Sequence, residues 1–202
     1  PTSALDAAPR ENVLENLADD LRRLGIPTLA VTHDPTVAAI ADWVVVMEDH
    51  AIVQEGAPAE VFARPATPAA ARLVGVRNLL PGRVRSIAGQ WAIVEASGGP
   101  VLRASVPRGL ALREGNPVTL AIRAEEIEIA APGAHHPAEA AALALTIASV
   151  KPEGIALRVI AEGSVRLEVL VPRMAAAAVP LAPGAGIVAL IRPQAMHVMA
   201  GA

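Results

Sequence analysis

The stretch GNPVTLAIR at residues 115–123 recurs as GAGIVALIR at residues 184–192. Each copy runs from a glycine through a short apolar segment to an arginine, the pattern of a buried strand that starts at a turn. A looser match relates VLRASVPR at residues 101–108 to VRLEVLVPR at residues 165–173. Two strand patterns that recur in the same order predict a duplicated β-module.

A linker that carries the turn signal Pro132-Gly133 separates the two copies. We therefore expect one copy at about residues 77–130 and the other at about residues 143–199. Short Val-, Leu- and Ile-rich runs, divided by glycines and prolines, fill residues 77–202. This pattern predicts an all-β domain over the second part of the chain.

The chain before residue 77 has a different pattern. Leucines recur at spacings of three and four between residues 7 and 24, which predicts an amphipathic helix that ends at Gly25. Residues 26–31 and 43–47 are apolar runs with the length of buried strands, and residues 52–54 should pair with the second of them. Helices that alternate with buried strands favour an α/β layer with parallel strands.

The composition excludes several classes of protein. Hydrophobic residues make up 53% of the chain but aromatic residues only 1%, so we expect a core of Ala, Val, Leu and Ile. A net charge of −3 gives no basic surface for nucleic acid, and the absence of cysteine excludes a disulfide framework. The longest uncharged stretch, residues 174–191, is broken by prolines and glycines, which argues against a membrane-spanning helix.

His33 is the first candidate for chemistry, because it follows the predicted strand at residues 26–31. In open α/β sheets ligands bind at the carboxyl ends of the strands. An imidazole there can donate a hydrogen bond to a γ-phosphate oxygen or orient an attacking water. The alternative is a histidine that only caps a turn.

The order of short motifs before residue 76 resembles the ATP-binding subunits of ABC importers. The motifs are SALD at residues 3–6, LAVTHD at residues 29–34 and IVQEGAP at residues 52–58. The resemblance implies that residues 1–76 are the C-terminal part of an α/β ATPase domain. It also implies a D-loop from Ser3 to Asp6, which communicates across an ATPase dimer, and a switch histidine, His33, at the γ-phosphate.

The elements that would bind ATP in this family are missing. The sequence contains no Gly-x-x-x-x-Gly-Lys-Ser/Thr loop, and its single lysine is Lys151. The family's Gly-rich signature and Walker B strand are absent too, so by resemblance the chain is cut just after Walker B. The intact subunit would bind ATP and Mg and hydrolyse ATP. We expect the chain alone to be inactive and to bind no cofactor tightly.

Residues 77–199 resemble the TOBE domain, an OB-like β-domain that follows the ATPase domain in such subunits. The motifs that carry this resemblance are NLLPGRV at residues 78–84 and IRAEEI at residues 122–127. The ending AMHV at residues 195–198 is similar to that of molybdate and tungstate importer subunits, whose doubled module is related to small oxyanion-binding proteins.

Arg123 and Arg192 occupy matched positions in the two copies. A guanidinium can bind a tetrahedral oxyanion through paired hydrogen bonds, which makes these two residues a candidate ligand site. The alternative is a strand-end arginine that pairs with a nearby glutamate. No metal site is predicted, since the adjacent His135 and His136 lie in the linker and consecutive residues rarely converge on one ion.

The combined prediction is an ATPase remnant joined to a duplicated regulatory β-domain. By resemblance the parent is a cytoplasmic homodimer at the inner face of the membrane, bound to permease subunits and served by a solute-binding protein. The predicted solute is molybdate or a similar oxyanion; iron, sulfate, sugar and polyamine importers carry similar domains. Two further alternatives are a stand-alone oxyanion-binding or storage protein and a nonfunctional truncated product.

Overall fold

The computed structural model describes residues 7–201, with the side chains of residues 13–176 and 179–201. The chain divides into two compact units, Pro1–Gly75 and Val76–Ala202. Among the described residues, every strand longer than six residues lies in the second unit. Strands therefore predominate over helices in the described chain, and they dominate the second unit, as the sequence predicted for that part.

The first unit combines short helices with one hairpin. Its elements are α1 (Ala7–Leu24), α2 (Pro35–Ala39), β1 (Val44–Glu48), β2 (Ala51–Gly56), α3 (Pro58–Ala63) and α4 (Pro68–Leu73). β1 and β2 pair antiparallel across a turn in which Asp49 and His50 have φ angles of 46° and 65°. The predicted helix up to Gly25 and the predicted hairpin are confirmed.

Three other predictions for this unit differ from the structure. Residues 26–31 form no strand, and the side chains of Leu29 and Val31 are 92% and 96% exposed. The second run does form β1, but only Val46 is buried in it. Within the described residues of this unit, the one sheet is antiparallel rather than parallel. A strand requires a ladder partner, and the described part of the unit offers none to residues 26–31.

The second unit contains ten strands and three short 3-10 helices among its described residues. The strands are β3 (Asn78–Ala88), β4 (Trp91–Ala96), β5 (Val101–Ser105), β6 (Pro117–Ile122), β7 (Ile127–Ala130), β8 (Ala141–Glu153), β9 (Ala156–Gly163), β10 (Arg166–Pro172), β11 (Gly186–Ile191) and β12 (Met196–Ala200). The 3-10 helices are Ala124–Glu126, Ala175–Ala178 and Pro193–Ala195. Four strands, a 3-10 helix and a last strand thus occur twice in the same order.

The two copies share their backbone details. The first strand of each copy carries a bulge, after Val84 in β3 and after Ile147 in β8. At the first bulge, Gly115 donates its N–H to the carbonyl of Val84 at 2.8 Å. At the second, Gly184 donates to the carbonyl of Ile147, also at 2.8 Å. These two glycines open the repeated stretches of sequence, so the repeat in sequence is a repeat in structure.

Each copy gives its last strand to the other. One closed barrel has the order β12-β5-β4-β3-β6, so that the final strand of the second copy completes the barrel of the first. The second sheet has the order β10-β9-β8-β11-β7 and includes the final strand of the first copy. The chain therefore crosses between the copies twice, at residues 123–126 and at residues 192–195.

The core of the second unit is aliphatic. One continuous cluster of buried residues joins both copies, and its largest fully buried members include Leu102, Leu120, Ile122, Ile147 and Leu167. β4 and β10 alternate buried positions with more accessible ones, as strands with one face on a core do. The predicted core of Ala, Val, Leu and Ile is confirmed for this unit, except that Met196 and Met199 are also buried.

Candidate functional site

His33 lies in an exposed turn directly before α2. The neighbouring residue, Asp34, is the N-cap of that helix, and its Oδ1 accepts a hydrogen bond from the N–H of Thr36 at 3.0 Å. Asp34 also donates its own N–H to the hydroxyl of Thr32 at 3.0 Å. The capping role therefore belongs to Asp34, and the turn leaves the imidazole of His33 on the surface.

Arg22 lies before the segment that carries His33, and its side chain binds residues that follow that segment. This residue is in the last turn of α1, and its Nη2 donates to the carbonyl oxygen of Ile40 at 2.6 Å. Its Nε donates to Oδ1 of Asp42 at 2.8 Å. Sequence reasoning missed this residue, because its partners lie 18 and 20 positions further along the chain and no local pattern links them. The predicted D-loop residues Ser3 and Asp6 lie outside the described residues.

Arg123 and Arg192 are the first residues of the two crossovers between the copies. Ile122 pairs with Met196, and Ile191 pairs with Ile127. The crossover segments, residues 123–126 and 192–195, consequently run antiparallel beside each other. The two arginines stand at diagonally opposite corners of this crossing.

Glutamates bind both arginines. Nη2 of Arg192 donates to Oε1 of Glu128 at 2.7 Å, and Nη1 of Arg123 lies 3.8 Å from Oε1 of Glu125. The side chain of Arg123 is 25% exposed, and that of Arg192 is 61% exposed. An anion at either guanidinium would therefore have to compete with a carboxylate.

The crossing also holds Glu126, whose pKa is raised. Desolvation of its carboxyl is the main cause, the positive charge of Arg123 opposes it, and the negative charge of Glu125 adds to it. When all are ionised, three carboxylates and two guanidiniums share this part of the surface: those of Glu125, Glu126 and Glu128, and those of Arg123 and Arg192. Protonation of Glu126 would shift the balance toward anion binding.

A second cluster of charged side chains, which the sequence did not predict, lies at the start of β3. Arg77 donates to Glu153 through Nη2 at 2.6 Å and to Glu168 through Nη1 at 2.5 Å. Arg158 binds the other oxygen of Glu153 at 2.6 Å. This ion-pair network, Arg77, Glu153, Arg158 and Glu168, connects the start of the first copy to the second copy. All four residues already have partners, so the network is structural.

The remaining histidines are dispersed. His135 and His136 lie in the linker, and Nδ1 of His136 is 3.3 Å from the carbonyl oxygen of Pro137. His50 is in the hairpin turn of the first unit, and His197 is in β12. Among the described residues, no three side chains of His, Asp or Glu are grouped so that they could hold a metal ion.

Comparison with protein-family models found no match. The curated relatives include the sulfate/thiosulfate import ATP-binding protein CysA 2 of Chromobacterium violaceum, 44% identical over 128 residues, which are 63% of this chain and 32% of that protein. The Fe(3+) ions import ATP-binding protein FbpC of Streptomyces coelicolor is 45% identical over 93 residues, 46% of this chain and 26% of that protein. The spermidine/putrescine import ATP-binding protein PotA of Rubrobacter xylanophilus is 31% identical over 134 residues, 66% of this chain and 36% of that protein.

A solved structure shares the fold. The cytoplasmic molybdate-binding protein ModG, in a crystal form with molybdate bound, superposes with a TM-score of 0.56 at 21% sequence identity. The match covers 62% of this chain and 96% of that chain.

The relatives agree in one respect and differ in another. All three are ATP-binding proteins of importers, but their names give three different solutes. Within the described residues, no helix is long and apolar enough to cross a membrane. The chain spans about a third of the length of these curated relatives, and its homologues are importer ATP-binding subunits.

Proposed function

We propose that this chain forms the C-terminal part of the ATP-binding subunit of an importer for a small tetrahedral oxyanion. The observation that carries the proposal is the set of import ATP-binding proteins that match parts of the chain at up to 45% identity. In the complete subunit, ATP and Mg would bind to elements outside this chain, since the chain contains no phosphate-binding loop. ATP hydrolysis would drive uptake through permease subunits at the cytoplasmic face of the membrane.

In this proposal His33 contacts the γ-phosphate, and Ser3 and Asp6 communicate with a second ATPase subunit. The exposure of His33 supports the first role, because the imidazole is accessible to a ligand that another part of the protein holds. The N-cap at Asp34 fixes the backbone next to it. A histidine in this position donates a hydrogen bond to the phosphate or orients the attacking water.

The apolar surface of the first unit supports its assignment to a larger ATPase domain. The outer face of the β1–β2 hairpin presents Trp43, Val45, Met47 and Ile52, with exposed fractions of 60%, 45%, 62% and 60%. Several exposed large apolar side chains on one short hairpin are typical of an interface rather than of a free surface. Leu29 and Val31, in the segment before His33, are exposed as well.

The oxyanion class rests on two comparisons. The relative CysA 2 is named for sulfate and thiosulfate, and the fold neighbour ModG is named for molybdate. Sulfate and molybdate are both tetrahedral dianions, which a guanidinium binds through paired, charge-assisted hydrogen bonds. We assign the contact to Arg123 and Arg192, with the anion taking the place of the carboxylates of Glu125 and Glu128. High internal anion would then slow transport through the β-domain.

Isothermal titration of the whole chain with molybdate, tungstate, sulfate and phosphate tests the solute class. We expect micromolar binding of at least one dianion, corresponding to about −8 kcal/mol. The variant Arg123→Ala with Arg192→Ala should lose it. Arg166→Ala is the matched control, because Arg166, at the start of β10, is also an arginine of this unit paired with a glutamate, Glu162, at 3.4 Å. No heat at millimolar anion would contradict the oxyanion role, and binding that survives the double substitution would contradict the site.

A stand-alone oxyanion-binding protein is the second candidate, favoured by the match that covers 96% of the ModG chain. The two candidates share the anion titration and differ in ATP turnover. A phosphate-binding loop and a Gly-rich signature encoded in frame upstream would select the importer subunit.

A further inference from the structure

The Arg22 side chain is the link between α1 and the C-terminal end of α2. Ile40 is the C-cap residue of α2, and the last carbonyls of a helix have no intrahelical partner. Arg22 satisfies the Ile40 carbonyl at 2.6 Å and also holds Asp42, just beyond the helix, at 2.8 Å. A cation at the C-terminal end of a helix is favourable, because the free carbonyls give that end a partial negative charge.

The other end of α2 carries His33. The helix is only five residues long, Pro35–Ala39, and Asp34 caps its N-terminus through Thr36. A proline as the first helical residue makes this turn stiffer, since the ring fixes φ. The short helix therefore acts as a rigid spacer with Arg22 bound at one end and His33 next to the other.

The segment between α1 and His33 does little to fix the position of His33. Residues 26–31 are exposed and take part in no strand of the described structure. Gly25 ends α1 with φ +65°, so the direction of the chain changes there. The location of His33 relative to α1 is thus set mainly through α2 and its contact with Arg22.

We propose that Arg22 is a positioning residue for His33: it fixes α2 against α1 and thereby fixes the place of the imidazole. This inference rests on the proposed role of His33 in ATP turnover. Arg22 itself touches no reacting group, so its removal should lower kcat and leave the KM for ATP unchanged, because the ATP-binding elements lie elsewhere.

Hydrogen exchange of the 202-residue chain tests the positioning directly. Arg22→Ala should increase the exchange rates of the amides at residues 36–41, and Arg22→Lys should have an intermediate effect, since an ammonium cannot hold both acceptors in the same fork geometry. Arg23→Ala is the matched control: Arg23 lies on the same helix and pairs with Asp20 at the same spacing as Arg22 with Asp19. Equal exchange in Arg22→Ala and Arg23→Ala would overturn the inference.

ATP turnover of the full-length protein that contains this chain tests the consequence. We expect Arg22→Ala to lower kcat about 10-fold to 100-fold, since a misplacement of about 1 Å can cost about 100-fold. Arg22→Lys should recover part of that loss, and Arg23→Ala should not change kcat. If His33→Ala abolishes turnover but Arg22→Ala behaves like Arg23→Ala, the positioning role alone is wrong. If His33→Ala has no effect or the wild type does not turn over ATP, the proposed function is wrong, and the positioning role falls with it.

Discussion

The side-chain amide of Asn78 exchanges two hydrogen bonds with the main chain of Glu168. Nδ2 of Asn78 donates to the Glu168 carbonyl at 2.8 Å, and Oδ1 accepts from the Glu168 N–H at 2.7 Å. The amide thus imitates a strand residue and joins β3 of the first copy to β10 of the second. Its structural counterpart in the second copy is Ala141, which pairs with Ile191 as Asn78 pairs with Ile122. The bridge therefore exists on one side of the repeat only.

Asn78→Ala should destabilise the second unit by about 1–3 kcal/mol, because Asn78 is 96% buried and its loss leaves two main-chain groups of Glu168 unpaired. Denaturant unfolding followed by Trp91 fluorescence in a Trp43→Phe background measures the change. The control is Asn116→Ala, which removes one hydrogen bond, from the N–H of Arg113, in an exposed turn. An equal loss of stability in the two variants would show that the bridge contributes nothing beyond an ordinary turn contact.

Gly98→Ala should destabilise the second unit more than Gly99→Ala. Both glycines have left-handed backbone conformations, with φ +104° and +102°, so an alanine is strained at either position. A Cβ at Gly98 would also overlap the carbonyl oxygen of Ser164 in the β9–β10 turn, whereas a Cβ at Gly99 would have no neighbour within 4 Å. The overlap should add about 1–3 kcal/mol to the loss at Gly98. Thermal unfolding of the two variants provides the comparison, and identical midpoints would contradict it.

Arg77→Ala should lower the stability of the second unit at neutral pH and have less effect in acid. The hydrogen bond from Arg77 holds the pKa of Glu153 below its ordinary value of 4.5, and Arg158 lowers it further. Since the folded-state pKa is the lower one, the contribution is complete above about pH 4.5 and is lost as the pH falls through the folded-state value. Unfolding curves from pH 7 to pH 3 measure the difference between wild type and variant.

The control for the acid experiment is Arg85→Ala. Arg85 pairs with Glu95 at 2.7 Å, but both side chains are more exposed, at 58% and 41%. An exposed pair contributes less, so its removal should have the smaller effect at neutral pH. A pH-independent difference for Arg77→Ala would mean that the ionised form of Glu153 is not what Arg77 stabilises.

The 202-residue chain should neither hydrolyse ATP nor bind it tightly, because it contains no phosphate-binding loop. In the full-length protein, His33→Ala should abolish most of the turnover while ATP binding is retained. His50→Ala is the matched control, since His50 lies in a hairpin turn of the same unit. ATP hydrolysis by the 202-residue chain alone that is lost in His33→Ala would contradict the proposal that the ATP-binding elements lie outside this chain.

Any anion binding at the crossover should strengthen as the pH is lowered toward the raised pKa of Glu126. Desolvation favours the neutral form of this carboxyl, and each proton that it takes up removes a negative charge from the neighbourhood of Arg123. Titration of molybdate at several pH values, in wild type and Glu126→Gln, measures the effect. The variant should bind with little dependence on pH. An unchanged pH dependence in the variant would assign it to another group.

Local patterns predicted the elements that local interactions determine. The repeated stretches contain β6 and β11, and their turn glycines hold the bulges of β3 and β8 in place. The partner of a last strand is not a local property. β7 has the same pattern whether it folds back on its own copy or crosses to the other, so the exchange could not be predicted.

The same distinction between local and long-range interactions applies to the candidate site. The Thr-His-Asp turn was visible in the sequence, because Asp34 and Thr36 are close neighbours. Arg22 and Asn78 were not, since their partners lie 18 to 90 positions away. The apolar run at residues 26–31 has the composition of a strand, but composition supplies no neighbouring strand with which it can pair.

The exchange of β7 and β12 has a consequence for how such a molecule can arise and be divided. In this topology neither copy uses its own last strand, so a single copy with the same topology would complete its strand set by exchanging last strands with a second molecule. The doubled chain has the topology of such a strand-exchanged dimer, with residues 131–140 linking the two copies into one polypeptide. Duplication thereby turns an association that depends on concentration into a permanent one, in which neither half can be deleted without opening the other.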